Sequence, residues 1–191
     1  MRQNMKTVFI LSGPAGVGKN TVWNLVKEEC TLSIEESTSM TSRNMRPGEN
    51  NGVEYHFVTR EVFEKKIHEG AFLEYALVHT NYYGSPKSEL TQITKEGKSP
   101  IYIIEPQGMI HLKPLLEDEW YKVITIFLLP PSLEELKKRL KWRGTETQEE
   151  FEIRLATAIT ELEQQELYDI KIINTNLSDT KEELLKILTH S

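Results

Sequence analysis

Apolar residues return along the chain in two rhythms. Four short runs rich in β-branched or apolar side chains, Thr7 to Ser12, Pro100 to Glu105, Val123 to Leu129 and Ile170 to Asn174, predict buried strands. Between and after them the spacing turns helical. Ser132 opens "SLEELKKRLKWRG", with Glu135 three residues on as a capping-box partner and Leu133, Leu136 and Leu140 on one face. A second helix is predicted from near Thr147, with Glu150 as its box partner and Phe151, Leu155, Ala158, Ile159 and Leu162 in register. A last one runs from about Ser178 to Leu188. Strands alternating with helices predict an α/β fold of three layers, helices on both faces of a mainly parallel central sheet.

The stretch from about 37 to 94 breaks the alternation. It is polar, aromatic and turn-rich ("SRNMRPGENNGVEYHF", "VHTNYYGSPK"), which predicts a small β-containing subdomain inserted into a core formed by about 1–36 and 95–191.

Composition narrows the partners. With 191 residues, 38% hydrophobic, the chain can bury a core of one domain. A formal net charge of -6 argues against holding nucleic acid or an anionic membrane by bulk positive potential, so an anionic ligand must be held by local cations. No run approaches the roughly 18 apolar residues of a membrane span, and the opening "MRQNMKTVFILSG" is too short in its apolar part for a signal peptide. Cys30 is the single cysteine, so no intramolecular disulfide can form. Cytoplasm is the default expectation. The five histidines, His56, His68, His79, His111 and His190, show no metal-ligand spacing.

The first predicted strand runs straight into "GPAGVGKNT". Gly13, Gly18 and Lys19 fit GxxxxGK, between a strand and a helix as that motif requires. Gly13, Pro14, Ala15, Gly16, Val17 and Gly18 form the candidate ATP-binding loop, whose glycines let backbone N–H groups close on phosphate oxygens. The helix start adds its positive end, and Lys19 adds a point charge. The expected ligand is a nucleoside triphosphate. Asn20 stands where the motif has a Ser or Thr hydroxyl for magnesium; Thr21 is the next hydroxyl, and Asn20 and Thr21 are the candidate Mg²⁺ contacts.

A second anion site is suggested within the insertion. Arg43 and Arg46 are donor forks matched to phosphate oxygens, with hydroxyls nearby in sequence at Ser39, Thr41, Ser42, Tyr55, Tyr82, Tyr83 and Ser85, and a carboxylate at Glu49. Taken alone, two loop arginines are also what an ordinary solvated surface presents.

Taken together, "SGPAGVGKNT", "SMTSRNMRPGENNGVEYHF", "FLEYALVHTNYYGS", "EPQG", "IFLLPPSLEELKKRL", "RGTETQEEFEIRL" and "YDIKIINTNL" resemble the guanylate kinase family, in its order and over nearly the whole chain. The resemblance implies a P-loop nucleoside monophosphate kinase that passes the γ-phosphoryl group of ATP to GMP with Mg²⁺, giving ADP and GDP. It implies GMP-phosphate contacts at Arg43, Arg46, Tyr55 and Tyr83, and guanine-reading groups at Ser39, Glu74 and Ser85, with Glu49 and Glu105 on the same side. A carboxylate at Glu74 suits guanine, whose N1–H and 2-amino group both donate, whereas adenine presents a lone pair there. It also implies a lid at about 139–156 around Gly144, with Arg143 and Arg154 on phosphates and Arg139 assisting, and Asn174 near the adenine. Lys19, Arg43, Arg143 and Arg154 are thus the candidate catalytic cations.

The likeness departs at Asn20 and at one further segment. Where the family usually reads "LDIDxQG", this chain reads "YIIEPQG", with Ile103 and Glu105 in place of the two aspartates. Three readings follow: a guanylate kinase, a related P-loop kinase with another phosphorylated acceptor, and a non-catalytic module that binds phosphopeptide through Arg43, Arg46 and Tyr83. The retained glycine-loop lysine and lid arginines weigh against the last.

Overall fold

The apolar run ahead of the glycine loop becomes β1 (Thr7–Ser12), buried from Val8 onward. The structure, a computed structural model, describes residues 6–29, 33–78, 80–141 and 148–190. Cys30, His79, Arg143, Gly144 and Thr147 lie outside the described residues. After β1 come α1 (Lys19–Glu29), β2 (Ile34–Glu36), β3 (Met40–Thr41), β4 (His56–Phe57), α2 (Arg60–His68), β5 (Phe72–Val78), β6 (Asn81–Pro86) and α3 (Lys87–Lys95). The chain continues through β7 (Ser99–Ile103), α4 (Pro106–Asp118), β8 (Lys122–Leu129), α5 (Leu133–Lys141), α6 (Gln148–Glu163), a 3₁₀ turn at Gln164–Leu167, β9 (Ile170–Ile173) and α7 (Leu177–His190).

Two sheets result, one of five strands ordered β2-β7-β1-β8-β9 and one of four ordered β4-β3-β6-β5. In the larger sheet β2 pairs β7 and β8 pairs β9, both in parallel, as the strand and helix alternation requires. The predicted strand from Pro100 to Glu105 is shifted: it starts at Ser99 and stops at Ile103. Pro106 accounts for the early end, because it restricts Glu105 and occupies the first turn of α4, where its missing N–H costs nothing.

The chain divides into two compact units. The first holds 33–102 and 110–122 with the start of the chain, and contains the four-stranded sheet. In it β3 pairs β4 in parallel and β6 antiparallel, and β5 and β6 form a hairpin whose register sets Glu74 opposite Ser85. Its core is a ring stack: Phe63 lies between Phe72 and Tyr82, with centroids 4.5 and 5.2 Å away. The Thr59 hydroxyl caps α2 by accepting the Val62 amide, which fixes the helix carrying Phe63.

The second unit holds 9–32, 103–109 and 123–191. Here α1 packs on α7. Leu136 and Leu140 of α5 meet Ala158 of α6, and Ala15 of the glycine loop packs against that cluster. The Ser132 hydroxyl accepts the Glu135 amide at 3.1 Å, so the predicted cap of α5 forms.

Candidate active site

The glycine loop is shaped by its own backbone and by what presses on it. Gly13, Gly16 and Gly18 take φ of 145°, 81° and 103°, conformations that a side chain resists. At Gly13 and Gly18 space forbids one as well. A Cβ there would stand 2.5 Å from the Leu128 carbonyl oxygen and 2.8 Å from Asn174 Nδ2, respectively. Lys19 opens α1 and is only 8% exposed. Its Nζ donates to the carbonyls of Gly13 at 2.6 Å and Pro14 at 3.3 Å, and to Glu105 Oε2 at 2.8 Å. Asn20 and Thr21 are exposed on the first turn of the same helix.

Three further side chains hold the loop from outside. Asn174, buried at the end of β9, donates Nδ2 to the Val17 carbonyl at 2.8 Å and accepts the Thr180 hydroxyl at 3.0 Å. Arg139 of α5 donates Nη1 to the same Val17 carbonyl and Nη2 to the Asn174 carbonyl, each at 3.3 Å, while its Nε is paired with Glu135. Glu161 of α6 accepts the Ala15 amide on Oε2 at 3.3 Å. Burial pushes the Glu161 carboxyl up to about 7, Glu105 nearby adds to the rise, and Lys19 and the Ala15 amide oppose it.

The second cluster lies on the four-stranded sheet and the loop before it. Arg43 clasps Glu49 with both arms, Nη1 to Oε2 at 3.0 Å and Nη2 to Oε1 at 2.8 Å, and Glu49 Oε2 also accepts the Arg46 amide at 2.8 Å. Burial alone would raise Glu49, but these donors outweigh it and hold the carboxyl below its ordinary value. The Arg43 guanidinium lies 5.7 Å from the Tyr55 ring centre and 5.4 Å from that of Phe57, and Tyr55 meets Tyr83 edge-on at 5.9 Å. Arg43, Glu49, Tyr55 and Tyr83 are therefore one cluster, with the exposed Arg46 tied to it through its backbone.

Glu74 and Ser85, opposed across the β5–β6 hairpin, are joined by a 2.7 Å hydrogen bond from the Ser85 hydroxyl to Glu74 Oε1. Burial raises the Glu74 carboxyl, which the Ser85 bond and the charge of His111 partly offset. Ser39 is half-buried, and its carbonyl accepts the His56 amide at 2.8 Å. Tyr82, offered by sequence as another hydroxyl, is instead the outer plate of the Phe63 stack. Glu105, assigned with the guanine side, is bonded to Lys19. Arg154 sits half-buried on α6. Sequence reasoning missed Glu161, although an acidic residue one turn from buried Ala158 on the inner face of α6 was the available signal.

A glycine loop with an inward lysine between a strand and a helix of a parallel sheet defines a P-loop nucleotide-binding protein. The family model for guanylate kinase matches residues 4–191. The chain is 41% identical over 186 residues to a guanylate kinase of Wolbachia sp. subsp. Brugia malayi, covering 97% of this chain and 93% of that one. It is 42% identical over 181 residues to a guanylate kinase of Malacoplasma penetrans, covering 95% and 91%. Among solved structures, the crystal structure of guanylate kinase from Anaplasma phagocytophilum superposes with a TM-score of 0.78 at 31% identity, covering 99% of this chain and 87% of that one. The chain belongs to the guanylate kinase family.

Among the described residues, no group of three His, Cys, Asp or Glu side chains is placed to hold a metal, and no helix is long and apolar enough to cross a membrane.

Proposed function

We propose that this chain transfers the γ-phosphoryl group of ATP to the phosphate of GMP, giving ADP and GDP. The observation that carries the choice of acceptor is the half-buried Glu74 held by Ser85. Two donors on the guanine edge meet a fixed acceptor there, while adenine would set a lone pair against it. In this reading the insertion, about 37–94, receives GMP, and the lid, about 139–156, covers ATP.

The reacting groups are both anionic, so the residues act by neutralising and aligning charge, and no covalent enzyme intermediate is needed. Arg43, Arg46, Tyr55 and Tyr83 take the GMP phosphate. Arg43 reaches it by exchanging one or both Glu49 oxygens for phosphate oxygens, a swap of like for like. On the donor side, the loop amides and Lys19 take the triphosphate. Lys19 gives up Glu105, whose side chain is 54% exposed and has water to turn to. Arg154, with Arg143 and Arg139, completes the positive surround, and exclusion of water by the lid protects ATP from hydrolysis.

The first turn of α1 fits Mg²⁺. The Thr21 hydroxyl and the Asn20 amide oxygen suit a hard cation that keeps several of its waters and is otherwise held by nucleotide phosphates. When bound, the ion supplies charge screening on the transferring group. The lone Cys30 suits a reducing compartment, and we place the chain in the cytoplasm with ATP and GMP as its partners, rather than nucleic acid or membrane.

The test is ADP formation from ATP and Mg²⁺, with GMP, dGMP, AMP, CMP, UMP and sugar phosphates offered in parallel. GMP-selective turnover is expected. Turnover with another acceptor would move the assignment to a related P-loop kinase, a possibility raised by Ile103 in "YIIEPQG". Phosphopeptide binding without any turnover would make the chain a binding module.

A further inference from the structure

Glu161 lies against the phosphate loop. It reaches the loop from α6, 146 residues away in sequence, and accepts the amide of Ala15, one of the N–H groups that such a loop turns toward phosphate. Glu161 stands three residues beyond Ala158, which packs on Leu136 and Leu140 of α5 with Ala15 against the same cluster. There it faces Lys19 from α1 and Glu105 from the segment before α4, with Tyr168 following the 3₁₀ turn. The Tyr168 hydroxyl and Ser12 Oγ are both buried and, among the described residues, make no hydrogen bond of ordinary geometry. Burial raises the Tyr168 hydroxyl, so that group stays neutral.

We propose that Glu161 is a positioning residue of the phosphate loop that exchanges a proton with nucleotide binding: ionised, it holds the Ala15 amide, and it takes a proton from solvent as triphosphate oxygens claim that amide. The physical reason is charge. Lys19 and the loop amides are shared among Glu105, Glu161 and the arriving phosphates, and a carboxylate beside polyphosphate in a partly buried site is repelled. Glu105 is half exposed and can turn to water, whereas Glu161, half-buried on α6 and bonded to the Ala15 amide, sheds its charge by protonation. The only bond formed in this step is O–H on the Glu161 carboxyl, the proton coming from water or buffer. Its ordinary value is already raised to about 7 before any phosphate is near, so the further rise falls where it can be read.

This rests on the reading of the loop as an ATP site. The experiment is calorimetric titration of the whole protein with ATP and Mg²⁺, without GMP, in two buffers of different ionisation enthalpy, from about pH 7 to about pH 8.5. Expected are net proton uptake on binding and an affinity that weakens as pH rises, by up to about tenfold per pH unit. In Glu161→Gln, which still accepts the Ala15 amide, the uptake disappears and affinity becomes flat over this range. A proton uptake equal in both proteins, or none in the unmodified one, overturns the proposal while leaving the ATP site standing. Absence of ATP binding overturns both. Should Glu161→Gln not fold, Glu161→Asp replaces it: reduced uptake supports the proposal, and unchanged uptake overturns it.

Discussion

Lys19 Nζ and Glu105 Oε2 lie 2.8 Å apart, and that contact completes a set of three acceptors around the three donors of one ammonium group. The two partners differ in freedom: Lys19 is nearly buried and Glu105 half exposed. A buried cation must be kept satisfied, and a carboxylate with access to water can satisfy it and leave cheaply. The longer arm of glutamate, standing where an aspartate is usual in the family, suits this reach.

Lys19→Ala is therefore expected to abolish useful turnover, lowering kcat by about 10² or more, the scale of losing one preorganised charge contact to the transferring group. Steady-state rates with saturating ATP and GMP check it. Unchanged kcat would remove the glycine loop from the chemistry.

Arg43→Ala is expected to act on the acceptor. It removes a bidentate fork and leaves Glu49 without its main partner, so KM for GMP should rise by about 10- to 100-fold, the scale of one or two charge-assisted hydrogen bonds. KM for ATP should hardly change, because the side chain of Arg43 is engaged by Glu49, Tyr55 and Phe57 within the four-stranded-sheet unit. Equal losses for both nucleotides would place Arg43 in stability rather than recognition.

Local signals were readable in the sequence and distant ones were not. The glycine loop, the buried strand before it and the Ser132 cap each depend on residues within a few positions, and each forms. Tyr82 and Tyr83 part company because adjacent residues on a strand face opposite ways: Tyr83 joins the Tyr55 cluster, and the Tyr82 ring is turned into the Phe63 stack. The hold of Asn174 and Arg139 on Val17, and of Glu161 on Ala15, joins positions more than a hundred residues apart. Those contacts are set by how α5, α6 and β9 pack, which no local pattern encodes.

Asn20→Ser is expected to increase activity at limiting Mg²⁺ and change little at saturating Mg²⁺, because it exchanges the Asn20 amide oxygen on the exposed first turn of α1 for the shorter hydroxyl that the phosphate-loop motif uses for the ion. A titration of rate against free Mg²⁺ measures it. A rise in rate equal at all Mg²⁺ levels would point to a cause other than the ion.

Glu161→Gln carries a stability consequence with a definite sign. The folded carboxyl lies at about 7, above its ordinary 4.5, so the folded state binds this proton more tightly than the unfolded one. Stability from that difference is full below about pH 4.5 and is lost as pH rises through about 7. The amide has no charge to desolvate. Relative to the unmodified protein, the variant should gain Tm at alkaline pH and lose that advantage in acid, read by thermal melts across the range.

Asn174 gives the last test, because it joins loop shape to helix placement through one buried amide. Nδ2 fixes the Val17 carbonyl, Oδ1 takes the Thr180 hydroxyl of α7, and the Gly18 backbone runs so close that a Cβ there would strike Nδ2. Asn174→Ala removes both bonds and leaves a buried carbonyl and hydroxyl to find other partners, at a cost of about 1–3 kcal/mol. The Thr180 hydroxyl also donates to the Asn176 carbonyl, and Arg139 still reaches Val17, so the loss falls at the lower end of that range. Asn174→Asp should be worse: the donor to Val17 becomes a second acceptor, and a charge enters a site that is 2% exposed. Denaturant melts that rank Asp below Ala, with KM for ATP raised in both and KM for GMP unmoved, are the expected result. The reverse ranking would mean that a cation, Arg139 being the nearest candidate, swings in to meet the new charge.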